Sequence, residues 1–263
     1  MPFFLDVDDT LMTFNSDAAN EAVYAYLRAF WPEAAAAEFR KLFSLAVAYH
    51  QDRETSESRE FLAKLNSYPV ACPDGIEKPN VIYSRELYVR YLSDKHRLQV
   101  SDAQIAEAMD AYWNAMVANA SFYPDARRFV KSSPGCFIAV GSDSRLVVRN
   151  GKFSYDSEYA RKNRMERTRA VGLLDFVPEA RVIIGDPFRK PGDSFWQECL
   201  RVSGVPKENC IMVDDSPRVV ADARRFGFTG VLMDRKGRYG GRGADHIVAS
   251  FDELKDILRL PIS

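Results

Sequence analysis

Histidine and cysteine are scarce in this chain: three of the first and four of the second among 263 residues. No two of the cysteines (Cys72, Cys136, Cys199, Cys210) stand in a CxxC spacing, so a structural zinc site is not expected. Cys136 and Cys210 fall inside apolar runs, which favours reduced core thiols over disulfides. No run of about 18 apolar residues occurs, so no membrane span is expected. The N-terminus shows no basic stretch leading into a signal-type apolar segment. An excess of charge of one sign is missing too: 36 Lys and Arg against 37 Asp and Glu leave a net charge of -1. That removes the broad electrostatic case for nucleic acid or an anionic membrane as a partner. Internal repeats and low-complexity linkers are absent. A soluble, cytoplasmic protein is the expectation these absences leave, and no residue pattern sets its oligomeric state.

What is present is ordinary in bulk, 46% hydrophobic and 28% charged, and long enough for one large domain or two smaller ones. Two textures divide it. Residues 16–120 carry amphipathic helical patterns without convincing strands, at about 16–30, 34–50, 56–66, 84–95 and 102–118. The stretch 67–79 holds three prolines and a glycine and reads as an irregular loop. From about Phe122, short apolar runs alternate with helical segments: Cys136–Val140, Arg181–Ile184, Cys210–Val213, Thr229–Met233 and His246–Val248. Alternation of this kind predicts a parallel sheet with helices on both faces, and the opening run Phe3–Leu5 fits the same sheet. The expected architecture is a doubly wound, Rossmann-like α/β core of residues 1–15 and 121–263 with an inserted all-α unit at 16–120.

The residue after each apolar run carries the chemistry. Asp6, Val7 and Asp8 follow Leu5. Gly141, Ser142, Asp143 and Ser144 follow Val140. Lys190-Pro191 comes a short loop after Ile184. Asp214, Asp215 and Ser216 follow Val213. In an open parallel sheet, ligands bind outside the carboxyl ends of the strands, so these groups are expected to meet at one edge. Asp6, Asp8, Asp214 and Asp215 would repel one another around a single lysine. A divalent cation with all-oxygen ligands resolves the repulsion, and Mg²⁺ is the expected one, sharing its shell with substrate phosphate. Mg²⁺ and Lys190 would together attract a dianionic phosphoryl group, helped by helix N-termini pointing at the same edge.

The motifs also resemble a known family. "DVDDT" at 6–10 looks like the DxDxT motif of the haloacid dehalogenase superfamily. "FIAVGSDS" at 137–144 is similar to its second motif, "KPGDSF" at 190–195 to its lysine motif, and "CIMVDDSPRVVADARRFGF" at 210–228 to its fourth. "ADHIVASFDEL" at 244–254 looks like the family's closing strand and helix. The order is the family's own, and the helical insertion resembles the α-helical cap of one branch, which would close over the site.

The resemblance implies roles. Asp6 would be the nucleophile that forms an aspartyl-phosphate. Asp8 would be general acid and then general base, with its backbone carbonyl on Mg²⁺. Dehalogenases of the superfamily lack an aspartate at this second position, and phosphatases and phosphomutases have one. Ser142 would bind a phosphoryl oxygen, although Gly141 is the other register of that motif. Lys190 would neutralise the nucleophile and the transferring group. Asp215 would ligate Mg²⁺ directly, with Asp214 acting through water or in support. Asp9 and Thr10 are expected to shape the loop, and Asp222 to be structural. The implied activity is a Mg²⁺-dependent phosphatase for a small phosphorylated substrate. A phosphomutase using the same residues is the rival within that chemistry, and a non-catalytic binding protein on the same fold is the rival outside it.

Overall fold

A computed structural model describes residues 2–50, 55–73, 81–141, 146–185, 190–239 and 243–258. The chain divides into two compact units, one of residues 1–14, 120–142 and 164–263, the other of residues 15–119 and 143–163.

The first unit is built on six parallel strands. Their order across the sheet is His246–Val248, Thr229–Met233, Ile211–Asp214, Phe3–Leu5, Phe137–Gly141 and Val182–Gly185. Each expected run is therefore a strand, with ends within one residue of those read from the sequence. The side-chain alternation of a strand sorts the apolar residues between two cores. Phe3, Leu5, Ile138, Val140, Ile211 and Val213 face one side, where Phe129 and Phe251 from flanking helices cover them. Phe4, Ala139, Ile183 and Met212 face the other, against Phe195 and Trp196. Burial on both faces explains why these runs are continuously apolar.

The position of the first strand decides where a ligand binds. Phe3–Leu5 pairs with Ile211–Val213 on one side and with Phe4–Leu5 opposite Phe137–Ile138 on the other. The chain thus winds outward one way through Phe137–Gly141 and Val182–Gly185, then returns and winds the other way. Strand order reverses beside Phe3–Leu5, and the crevice at such a reversal is where open α/β sheets bind ligands.

The second unit holds five whole α-helices among its described residues, Ser16–Leu27, Glu33–His50, Ser56–Ser67, Arg85–His96 and Asp102–Ala118, and the first half of the helix Ser157–Ala170. Three starts are capped from the sequence. Asn15 accepts from the Ala18 amide at 2.9 Å, and Thr55 and Ser101 form capping boxes with Ser58 and Gln104. Phe39, Phe61, Leu87, Tyr88, Ile105 and Tyr112 are buried, so the Tyr112-Trp113 pair belongs to packing, its rings meeting edge to face at 5.0 Å.

This unit departs from the all-α insertion in one respect. Residues 143–163 belong to it, although the sequence reading put them in the α/β core. They contribute an antiparallel hairpin, Leu146–Arg149 with Lys152–Tyr155, and Val70–Ala71 joins Lys152–Tyr155 as a third strand. The turn is Asn150-Gly151, with φ of 51° and 69°, the positive pair that a two-residue hairpin turn requires. The Gly151 amide donates to Asp102 at 3.0 Å, fastening the turn to a helix start. No helix among the described residues is long and apolar enough to cross a membrane.

Candidate active site

Asp6 begins where the first strand ends, and its amide still donates to Val213 at 3.0 Å. Its side chain therefore stands at the carboxyl edge of the central strand. Lys190 reaches it across 2.6 Å and reaches Asp214 across 2.7 Å, with only 4% of the lysine side chain exposed. The same ammonium donates to the Ala139 carbonyl at 2.6 Å. Three strand ends thus share one buried cation.

Asp6, Asp214 and Asp215 each turn a carboxylate oxygen inward, and these oxygens lie within 4.8 Å of one another. Burial pushes the Asp6 carboxyl up to about 8; Lys190 opposes this, while Asp214 and Asp8 add to it. Burial also pushes Asp215 up to about 8, with repulsion from Asp214, Asp6 and Asp9 adding and Arg238 opposing. Oxygen donors that close and that reluctant to ionise together fit a hard divalent cation, which relieves the repulsion as it binds. Asp214 is the most committed of the three: one oxygen pairs with Lys190, and the other accepts from the Ser216 amide at 2.8 Å.

A measurable consequence follows for the metal-free protein. In the unfolded chain both carboxyls titrate near the ordinary 3.8, and in the fold near 8. The folded state then holds protons that the unfolded state has released, so stability falls as pH rises from about 4 to about 8 and levels off above. Melting in EDTA is expected to show this decline, and Asp215→Asn to flatten it. A melting temperature that rises over the same interval in both proteins contradicts the assignment.

Asp8 does not join the carboxylate cluster through its side chain. Its oxygens accept from Arg164 at 3.0 Å and from both terminal nitrogens of Arg167 at 3.1 and 3.2 Å. Both arginines come from the second half of the helix Ser157–Ala170. Sequence reasoning gave them no role, because charges on a polar helix read as a solvated face. It also passed over the segment after Thr229–Met233, where Lys236 approaches Asp9 at 3.3 Å and Arg238 approaches Asp215 at 3.6 Å.

The remaining expectations divide. Asp9 shapes the turn with φ of 58°, its amide donating to Met12. Thr10 does not shape the loop through its side chain: the hydroxyl is fully buried with no hydrogen-bond partner among the described residues. Its carbonyl holds the loop, accepting from Arg235 at 2.9 and 3.1 Å. Asp222 is structural, accepting from the Trp196 indole at 2.7 Å. Gly141 ends its strand opposite Gly185, and Ser142 lies outside the described residues.

The carboxylate cluster and the buried lysine thus stand at the reversal point of a doubly wound sheet, where open α/β folds bind ligands. A family model of haloacid dehalogenase-like hydrolases matches residues 3–227. The chain belongs to that family, and so is a hydrolase. Solved structures agree in fold. The magnesium-bound HAD-hydrolase YfnB of Bacillus subtilis is similar over 98% of both chains, at 14% identity and a TM-score of 0.58. A HAD phosphatase from Thermococcus onnurineus is similar over 98% of this chain and 97% of its own, at 18% identity and a TM-score of 0.53. The L-2-haloacid dehalogenase of Xanthobacter autotrophicus is similar over 98% and 99%, at 17% identity and a TM-score of 0.56. A search of curated protein sequences finds no match.

Proposed function

We propose that the chain is a Mg²⁺-dependent phosphatase that hydrolyses a small phosphorylated metabolite through an aspartyl-phosphate on Asp6. The observation that carries this reading is Asp8, a second carboxylate two residues beyond Asp6 and still half-exposed. A halide departs as an anion and needs no proton. An alkoxide oxygen leaving phosphorus does need one, and a protonated Asp8 would supply it. That favours phosphate esters over haloacids, although both phosphatases and dehalogenases share the fold.

In the first step an Asp6 oxygen attacks phosphorus, the bond from phosphorus to the ester oxygen breaks, and Asp8 gives its proton to the departing oxygen. In the second, water attacks the phosphorus of the aspartyl-phosphate, Asp8 takes a proton from that water, and the bond to Asp6 breaks to restore the carboxylate. Lys190 stands 2.6 Å from Asp6, where it favours the ionised nucleophile and balances charge on the phosphoryl oxygens. Asp6, Asp215 and, in support, Asp214 would hold Mg²⁺, with the Asp8 carbonyl as a further ligand. Bound there, the cation supplies positive charge for the phosphoryl group.

The test is phosphate release from a panel of phosphorylated metabolites with and without Mg²⁺, beside a parallel panel of 2-haloacids. Metal-dependent phosphate release, with no halide release, is the expected result. Halide release without phosphate release overturns the reading. An isomeric sugar phosphate formed in place of free phosphate assigns the same residues to a phosphomutase.

A further inference from the structure

The contacts made by Asp8 are unusual in where the burial falls. The burial is uneven: 49% of the Asp8 side chain is exposed, while Arg164 and Arg167 keep only 4% and 7%. The cations hold the carboxylate from beneath and leave its outer side open.

The hold is also specific. Arg164 donates to Oδ2 of Asp8 at 3.0 Å, and Arg167 straddles both oxygens at 3.1 and 3.2 Å. A planar guanidinium meeting two carboxylate oxygens fixes the plane of that carboxylate as well as its position. The two arginines are three residues apart on one helix, a spacing that puts them on the same face. Arg167 is further braced by Phe14, whose ring centroid lies 5.0 Å from the guanidinium.

We propose that Arg164 and Arg167 are positioning residues that aim the Asp8 carboxylate for its proton transfers. The proposal rests on the phosphatase reading. Neither arginine needs to touch the substrate. Their effect passes through Asp8, so it should appear only where Asp8 must move a proton.

That dependence gives the test. The value of kcat/KM covers steps up to transfer of the phosphoryl group to Asp6. A nitrophenolate leaving group departs without a proton and an alkoxide does not. For wild type, Arg164→Gln, Arg167→Gln and Arg167→Lys, kcat/KM is measured on p-nitrophenyl phosphate and on the alkyl phosphate that wild type hydrolyses fastest. Both glutamine variants are expected to lower the alkyl-to-aryl ratio by about tenfold or more, within the 10²–10⁴ that a general acid contributes. Arg167→Lys keeps the charge without the fork, and is expected to fall between wild type and Arg167→Gln. In an Asp8→Asn background, Arg167→Gln is expected to cause no further loss on the alkyl ester, because the group it aims is already gone.

An equal fall on both esters, or a further loss on top of Asp8→Asn, overturns the proposal and makes the arginines parts of the fold or of substrate binding. An unchanged ratio overturns it too. If Arg164→Gln fails to fold, Arg167→Lys decides the matter alone. Wild type inactive on every phosphate ester is the separate failure of the phosphatase reading, and the proposal falls with it.

Discussion

Asp6→Asn is expected to lower phosphate release by on the order of 10⁴-fold or more, and to raise the melting temperature of the metal-free protein above pH 8. The first effect follows from the nucleophilic role proposed for it. An amide cannot form the covalent intermediate, and losing a nucleophile ranks among the largest effects of one substitution. The second follows from electrostatics. Burial pushes the Asp6 carboxyl up to about 8, so the fold disfavours its ionised form relative to its neutral one. Asparagine has nearly the shape of the neutral acid and no charge. Above pH 8 it replaces a charge that the fold tolerates poorly, and Lys190 keeps its pairing with Asp214 at 2.7 Å. Activity lost with stability gained marks a residue kept for function. Phosphate assays on the best ester of the panel, with calorimetry in EDTA at pH 9, check both halves. Surviving activity refutes the nucleophile, and a lowered melting temperature refutes the electrostatic account.

The parts of this molecule legible in its sequence are those where local pattern and tertiary role coincide. Phe3–Leu5 and Thr229–Met233 could be read residue by residue, because a strand buried on both faces must be apolar throughout. Asp6, Lys190 and Asp214 could be brought together on paper, because the two aspartates directly follow such runs, the lysine follows one after a short loop, and parallel strands end at a common edge.

The hairpin at 146–155 was not read, although its signal is present. Leu146–Arg149 and Lys152–Tyr155 are only four residues each, and the second alternates polar with aromatic side chains instead of forming an apolar run. Asn150-Gly151 between them is the turn pair that favours two-residue hairpins, and it was the sign to follow. Arg164 and Arg167 are a different case. They lie 156 and 159 positions from Asp8, and nothing local separates them from the other charges on their helix. Only the fold brings that helix face to the first loop. The sequence reading placed Asp8 by its distance from Asp6, but what holds its side chain lies in another part of the chain.

Lys190→Met carries the largest expected cost to the fold. Methionine keeps the length of the stem and removes the charge. Lys190 is the cation within 2.7 Å of both Asp6 and Asp214, and its side chain is almost wholly buried. Removing one partner of a buried ion pair costs about 3–5 kcal/mol, because the charge left behind has no compensation. For a chain of this size that corresponds to a drop of about 10 °C in melting temperature. Attraction to Asp214 and Asp6 outweighs the burial that would lower its titration, so the lysine pKa lies above the ordinary value of 10.5. The sign is therefore fixed. Its contribution is complete below the unfolded pKa near 10.5, is lost only as pH rises through the still higher folded value, and cannot produce a transition near neutrality.

The variant's instability should therefore ease as pH falls, beginning at a higher pH than the wild-type Asp6 value of about 8 because Lys190 no longer lowers that titration, and protonated Asp6 needs no neutralising partner. Mg²⁺ should raise the melting temperature of the variant more than that of wild type, since the cation answers the same excess of negative charge. Activity is expected to fall about 10³-fold even with Mg²⁺ saturating, the scale of losing one charge-stabilising donor at a transition state. Equal stabilisation of variant and wild type by Mg²⁺ would mean that lysine and metal do not balance the same carboxylates. The three-aspartate cluster would then have to be read as a structural feature held by Lys190 alone.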